Sequence, residues 1–484
     1  MRNFLFAFFV LTSIVVFSQK KESSGIELKQ AIDNYLQQTI KANEISGLAV
    51  GVVKDGKIIF EAYYGKENVE GNNPINKNSI FRIYSTSKLI STVGVFQLIE
   101  KGKLSLDDKI SKYLENVPKD WKDVKIKNLL SHSSGIPNII RYKNIPVTAT
   151  DSEKVERLSK EKMEFETGNQ FSYNQTNYWL LTMIIEKITG ETFEDYILEN
   201  QFTNSKGKIL FSSNSSENIP NRVVKNFYNT KTKRYEKTSE NDGTRAHSGN
   251  GVNITLPAFL DWSNNLDNNV FLHFETKKSM WKPFEFDNKK DLFGYGWDIT
   301  KVNNHDSYGF SGGNVSAYRN FPDSNLSIIV LSNGYRYAPV QDQIINHIAG
   351  LVDKNLIDDY LLSEELVISE FLKIDNQNAE QTYQTIKKKH PEWNFEKTLN
   401  SIGYILIGND RLNDAIKVFE LNVKENPNSG DAFDSLGEGY FLAEKYDISK
   451  KHYEKSLELN PKNDNARKML SKIENKQPNS ILKK

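Results

Sequence analysis

Phe81–Leu104, FRIYSTSKLISTVGVFQLIEKGKL, is the stretch on which the reading of the fold turns. Apolar residues at Leu89, Val93, Val95, Phe96, Ile99 and Leu104, with Gly102 near the end, follow a helical period, so Ser85 falls at or near a helix start. Three residues of helix make nearly one turn. Ser85 and Lys88 therefore share a face, with hydroxyl and amine close enough to exchange a proton. A serine hydroxyl is a poor nucleophile until a base removes its proton, and lysine serves only when burial or a nearby cation lowers its pKa well below ~10.4. The outward-pointing N–H groups of a helix N-terminus favour the anion that attack on a carbonyl creates. Ser-x-x-Lys also begins at Ser18, Ser159, Ser205, Ser279 and Ser480, so the flanking chain must decide what the tetrapeptide means.

Upstream, Ile26 to Asn43 reads as a helix, and SGLAVGVVKDGKIIFEAYYG reads as two strands turning at Asp55-Gly56, where both positions tolerate positive φ. Downstream, Asp107 and Asp108 read as helix-start residues, Ile126 to Leu130 as a short helix, and Ser131 to Pro137 as a polar turn. His132 in that turn is a candidate base, although a histidine among serines and glycines more often braces a turn by hydrogen bonds. Tyr173 precedes a helix running from about Asn177 to Gly190, with another beginning at Glu191 to Leu198. A phenol placed there either faces a cleft or packs its ring half-buried. Residues 203–250 are polar and have little period, and Thr255 with Pro257 behind it marks a further helix start.

From Gly294 the pattern is extended, with turns at Asn303-Asn304 and Pro322-Asp323, until VQDQIINHIAGLVD closes the region as a helix. A hairpin at one end and an antiparallel meander at the other, flanking a helical middle, imply one sheet built from both chain ends. The expected fold is α+β, an antiparallel sheet with flanking helices and an all-α subdomain, over residues 26–362. Beyond it the chain changes character. Pro427 to Pro461 spans 34 residues, and at that period Gly437 answers Gly403, Tyr453 answers Phe419 and Ser449 answers Ala415. Period and pattern resemble tetratricopeptide repeats, which are expected over 395–474 with a capping helix at Asp464 to Glu474, after a helical linker at 363–394. This small all-α C-terminal repeat domain is the candidate surface for a protein partner.

Composition removes several function classes. With 63 basic and 62 acidic residues the net charge is +1, so no bulk field favours nucleic acid or acidic membranes. There is no cysteine, which excludes disulfides, thiol catalysis and thiolate metal sites, and the 7 histidines are dispersed without a His-x-x-x-His pair. No metal or other cofactor is expected. The opening MRNFLFAFFVLTSIVVFSQKK places Arg2 before an apolar run from Phe4 to Phe17, which reads as a signal peptide over 1–18. The expected product is exported to the periplasm or outside, with no stable membrane anchor after cleavage.

Ser85-x-x-Lys88, then Tyr173 in a loop before a helix, then Phe310-Ser311-Gly312-Gly313 on a late strand stand in an order that resembles the serine beta-lactamase and penicillin-binding-protein superfamily. The class C beta-lactamase, D-peptidase and esterase branch is the nearest in pattern. The resemblance runs from about Ile26 to Asp353 and includes FRIYSTSK, LLSHSSGIP, QFSYNQTNYWLL and YGFSGGN. It implies acyl transfer to Ser85, with Lys88 and Tyr173 moving the proton and the backbone N–H groups of Ser85 and Gly313 forming the oxyanion hole. It also implies substrate contacts from Gln175, Phe310, Ser311 and Gly312. Two positions depart from the family pattern. Gln175 stands where asparagine is usual, and Phe310 stands where lysine or histidine is usual, removing a cation that binds carboxylates. An ester or amide hydrolase acting on a small molecule or peptide is therefore expected before a dedicated beta-lactamase. Two other readings compete. Gly309 to Gly313 also spells Gly-x-Ser-x-Gly, which would make Ser311 a nucleophile, but that elbow needs a helix directly after it and VSAYRNFP reads extended. A binding or scaffold protein that lost catalysis would account for Gln175 and Phe310.

Overall fold

The structure is a computed structural model describing residues 25–373 and 378–476, so the expected signal peptide lies outside the described residues. The chain forms two compact units. One comprises residues up to Phe227 and Tyr235–Ile357, the other Tyr228–Arg234 and the chain from Asp358 onward.

The first unit is α+β. Its antiparallel sheet has six strands in the order Lys57–Gly65, Gly47–Lys54, Leu326–Ser332, Ser316–Phe321, His305–Gly312, Asp298–Val302. Both chain ends meet at its centre, where Val50 lies opposite Val330. The apolar runs LAVGVV and LSIIVLS are buried almost without alternation, because the helices Leu256–Asp267 and Gln341–Val352 pack against this part of the sheet. Asp55 and Gly56, with φ of 51° and 70°, close the first hairpin, and Asn303 and Asn304, at 46° and 64°, close a later one.

The helix Ser87–Glu100 has no polar face: every residue from Ser87 to Leu98 is buried. It is enclosed by the helices Gln175–Thr189, Phe193–Gln201 and His247–Asn250. Gly94 permits the closest approach, since a Cβ there would lie 2.8 Å from Ile197 Cδ1. The enclosing helix Gln175–Thr189 starts two residues before the expected Asn177, because the side chain of Asn174 accepts from Thr176 N–H at 2.8 Å and caps it. Thr255 caps Leu256–Asp267 as its sequence implies, with Pro257 in the first turn. Asp107 and Asp108 do not start a helix. Asp107 pairs with Lys125 and Lys127 at 3.1 and 2.8 Å, while Asp108 receives Tyr113 OH at 2.6 Å beside a single 3₁₀ turn, Ile110–Lys112.

In the second unit the helices Glu396–Gly408, Leu412–Glu425, Gly430–Leu442 and Tyr446–Leu459 form two successive hairpins, followed by Asp464–Lys476. The repeat has a physical basis. A Cβ at Gly403 would lie 2.2 Å from the ring of Phe419, and one at Gly437 would lie 3.1 Å from the ring of Tyr453. Each glycine admits the aromatic ring of the paired helix. The helices Asp359–Leu372 and Ala379–Lys389 complete the unit, with Arg411 donating to the carbonyls of Leu372 and Lys373 at 2.7 and 3.0 Å. Gly403→Val forces the ring of Phe419 out of its seat and is expected to destabilise by about 1–3 kcal/mol. Gly408→Ala, where a Cβ meets nothing within 4 Å, is expected to be neutral or stabilising. Thermal melts followed by circular dichroism compare the two, and equal midpoints would contradict this packing.

Candidate active site

Between Phe81 and Leu98 only Ser85 is not buried, so the chain brings one hydroxyl out of an otherwise closed core. It does so on the 3₁₀ turn Tyr84–Thr86, which leads directly into the helix Ser87–Glu100. Tyr84 has φ 46°, an uncommon conformation for a residue with a side chain. Its ring is held between the Arg82 guanidinium at 4.4 Å and the Lys225 ammonium at 4.3 Å. The end of strand His305–Gly312 presses on the same turn. A Cβ at Gly312 would lie 2.3 Å from Ile83 O and 2.8 Å from Ser85 N, and one at Gly313, with φ 56°, would lie 2.4 Å from the ring of Tyr84. Only glycines let the strand backbone come this close to Ser85. Ser316 Oγ adds a tie from the next strand, donating to Ile83 O at 2.6 Å and meeting Thr86 Oγ1 at 2.9 Å.

Ser85 Oγ bonds to Tyr173 OH at 2.7 Å. Lys88, on the same face, turns instead to two carbonyl oxygens, donating to Gly249 O at 2.7 Å and to Gln175 Oε1 at 3.1 Å. In place of the direct hydroxyl-to-amine contact expected from the helical spacing, Ser85 bonds to Tyr173, and Tyr173 and Lys88 each bond to the side-chain amide of Gln175. Lys88 is fully buried, and desolvation pushes its pKa well below that of an ordinary lysine. Its surroundings are aromatic: the amine lies 4.8 Å from the ring centre of Tyr173, 4.9 Å from that of Tyr178 and 6.0 Å from that of Phe310. A neutral amine has two N–H groups and one lone pair. The two carbonyls take the N–H groups and leave the lone pair free for a proton. Burial also pushes Tyr173 up to about 12, against the lowering effect of its bonds from Ser85 and Gln175, so this phenol keeps its proton at rest.

His132 lies within reach of Tyr173 at 4.8 Å between ring centres, but it is a brace. Its Nδ1 accepts from Asn174 N–H at 3.2 Å, and burial and the nearby Lys88 hold its pKa well below the usual value. Gln175 reaches both partners, accepting from Lys88 and donating to Tyr173 OH at 3.4 Å. The phenyl ring of Phe310 faces the site, 6.1 Å from the ring of Tyr173. Ser311 does not. Successive side chains of a strand alternate, and its Oγ donates to the carboxylate of Asp342 at 2.7 Å. The chain continues from Ser311 into strand Ser316–Phe321 rather than into the helix that a nucleophile elbow needs.

Gly249 belongs to a segment whose sequence gave no period. It is held by Arg82, which donates to Asn250 O at 2.9 Å and pairs with Asp242 at 2.7 Å, and by Ser91 Oγ, which donates to Ser248 O at 2.5 Å. A Cβ at position 249 would lie 2.7 Å from Gln175 Oε1 and 3.2 Å from Lys88 Nζ. The longer arm of Gln175 fits because this position is glycine. Among the described residues no group of three or more His, Asp or Glu side chains is placed to hold a metal ion, and no helix is long and apolar enough to cross a membrane. Gly249→Ala is expected to displace Gln175 from Lys88 and slow labelling of Ser85 by a fluorophosphonate by about tenfold or more, within the ~10²–10⁴ that a positioned base contributes. An unchanged labelling rate would show that this contact does not matter.

Comparison with known proteins bears on the fold and the family. The chain is 26% identical over 301 residues to penicillin-binding protein 4* of Bacillus subtilis, a match covering 57% of this chain and 66% of that protein. The chain thus spans about two thirds of the length of this relative. The octameric penicillin-binding protein homologue from Pyrococcus abyssi shares the fold with a TM-score of 0.58 at 21% identity, covering 70% of this chain and 81% of the other. EstCE1, a hydrolase with promiscuous acyltransferase activity, does so with a TM-score of 0.57 at 18% identity, covering 68% of this chain and 98% of the other. The beta-lactamase family model matches residues 32–350, well over half of the sequence, and the chain belongs to that family of serine hydrolases.

Proposed function

We propose that the chain hydrolyses an ester or amide through an acyl-enzyme on Ser85. The observation that carries this reading is the 2.7 Å bond between Tyr173 and the one hydroxyl of the run that is not buried, beside a lysine whose pKa burial lowers well below the usual value. Ser85 Oγ attacks the carbonyl carbon. Its proton passes to the Tyr173 oxygen as the Tyr173 proton passes to the Lys88 lone pair, so no phenolate has to persist in a site that holds it at about 12. The backbone N–H groups of Ser85 and Gly313 receive the oxyanion. Collapse returns the proton through Tyr173 to the leaving group, and water then repeats the sequence to release the acid. Phe310 offers no charge, so an ester or amide without an anion at that position is preferred over a beta-lactam or a peptide terminus.

The proposal extends to the rest of the chain. Residues 1–18 direct export to the periplasm or beyond, and 395–474 are tetratricopeptide repeats that dock a protein partner. What supports the second point is the 34-residue repeat of a glycine admitting an aromatic ring.

Ser85→Ala is expected to abolish a mass adduct from an activated ester, and Tyr173→Phe to lower acylation by ~10²–10⁴. A full adduct on the Ser85→Ala protein would overturn the assignment. Lys88 accepts a proton only as a free amine, so the acylation rate should rise with pH through its depressed pKa and level off well below the ~10.4 of free lysine. A rate still climbing at that pH would exclude Lys88 as the base.

A further inference from the structure

A cavity of about 350 Å³ lies beside the catalytic lysine, and Gln175 and Gly249, the two groups to which Lys88 bonds, form part of its wall. Ile139, Ile145, Pro146 and Trp179 supply apolar surface. Lys154 also lines it. This residue is only 7% exposed, and its ammonium has no hydrogen bond or ion pair among the described residues. The acids nearby are bound to other partners as well. Asp151, which lies on the same helix, Asp151–Leu158, pairs with Arg245 at 2.8 Å and receives Trp179 Nε1–H at 2.8 Å. Glu186 pairs with Arg245 at 2.6 Å, and Asp242, the acid of the cavity wall, is held by Arg82 at 2.7 Å and by Asn250 Nδ2 at 2.6 Å. Burial lowers the pKa of Lys154, opposed by the attraction of Asp151 and reinforced by Arg245. Lys154 borders a space whose walls are largely apolar and also carry Lys143, Arg245 and Asp242.

We infer that this cavity is a substrate subsite in which Lys154 receives a carboxylate at the end of an apolar arm, remote from the carbonyl that Ser85 attacks. The inference rests on the hydrolase reading for the word substrate. It also accounts for Phe310: the acid is recognised on the far side of Gln175, and the strand needs no cation.

Calorimetry on the full-length Ser85→Ala protein, with octanoate and octanamide as probes, tests the subsite without requiring catalysis. A charge-assisted hydrogen bond should favour octanoate by about tenfold to a hundredfold, and Lys154→Met should erase the preference. Equal affinities for the two probes, or a preference that survives Lys154→Met, overturn the subsite. Kinetics on the unaltered serine enzyme use the p-nitrophenyl monoester of suberic acid against p-nitrophenyl octanoate. A kcat/KM ratio of about ten or more for the acid, collapsing in Lys154→Met, is expected. If neither ester is cleaved while octanoate binding still depends on Lys154, the hydrolase reading falls and the subsite stands. Removing an unpaired buried charge should leave the thermal midpoint unchanged or higher, so a folded Lys154→Met protein is available for both arms.

Discussion

The site depends on burying an amine without a carboxylate beside it. Desolvation alone lowers the pKa of Lys88, and each neighbour serves that condition: three aromatic rings surround the amine, and two carbonyl oxygens accept its N–H groups without adding charge. A carboxylate in place of either oxygen would return the lysine to its ammonium form. The helix around Lys88 is accordingly buried on every side from Ser87 to Leu98.

A second constraint is steric. Strand, nucleophile turn and the Gly249 segment converge on a space that admits no side chains at positions 249, 312 and 313. The glycines at 312 and 313 stand out in the sequence because they adjoin on a strand. Gly249 does not, because nothing in SGNG announces that Lys88 and Gln175 come from elsewhere to meet it.

That contrast describes what was legible. Features set by local chemistry were readable: the Asp55-Gly56 turn, the Thr255 cap with Pro257, and the heavily apolar central helix. The α+β fold followed from strands at both ends of the first unit. Residues 203–250 were opaque because their elements are short and placed by tertiary contacts rather than periodicity: Ile209–Phe211 by pairing with Val252–Thr255, and His247–Asn250 by Arg82 and Ser91. Ser311 was within reach of sequence reasoning. Strand alternation puts it opposite Phe310 and Gly312, and Asp342 waits on the other face. The bond of Ser85 to Tyr173, and the turning of Lys88 to Gly249 and Gln175, were not, since spacing along a helix gives the face but not the rotamer.

The pairing of Gly47–Lys54 with Leu326–Ser332 has a kinetic meaning. An early strand whose central partner is encoded near the far end of the unit cannot complete its ladder until almost all of that unit has left the ribosome. Long-range pairing of this kind is slow because the loop must close before the contacts repay it. The helical hairpins beyond Asp358 join neighbours in sequence and form quickly by comparison. The chain thus carries two clocks, and for a time during its synthesis the hydrolase half is an open polymer with exposed strand edges.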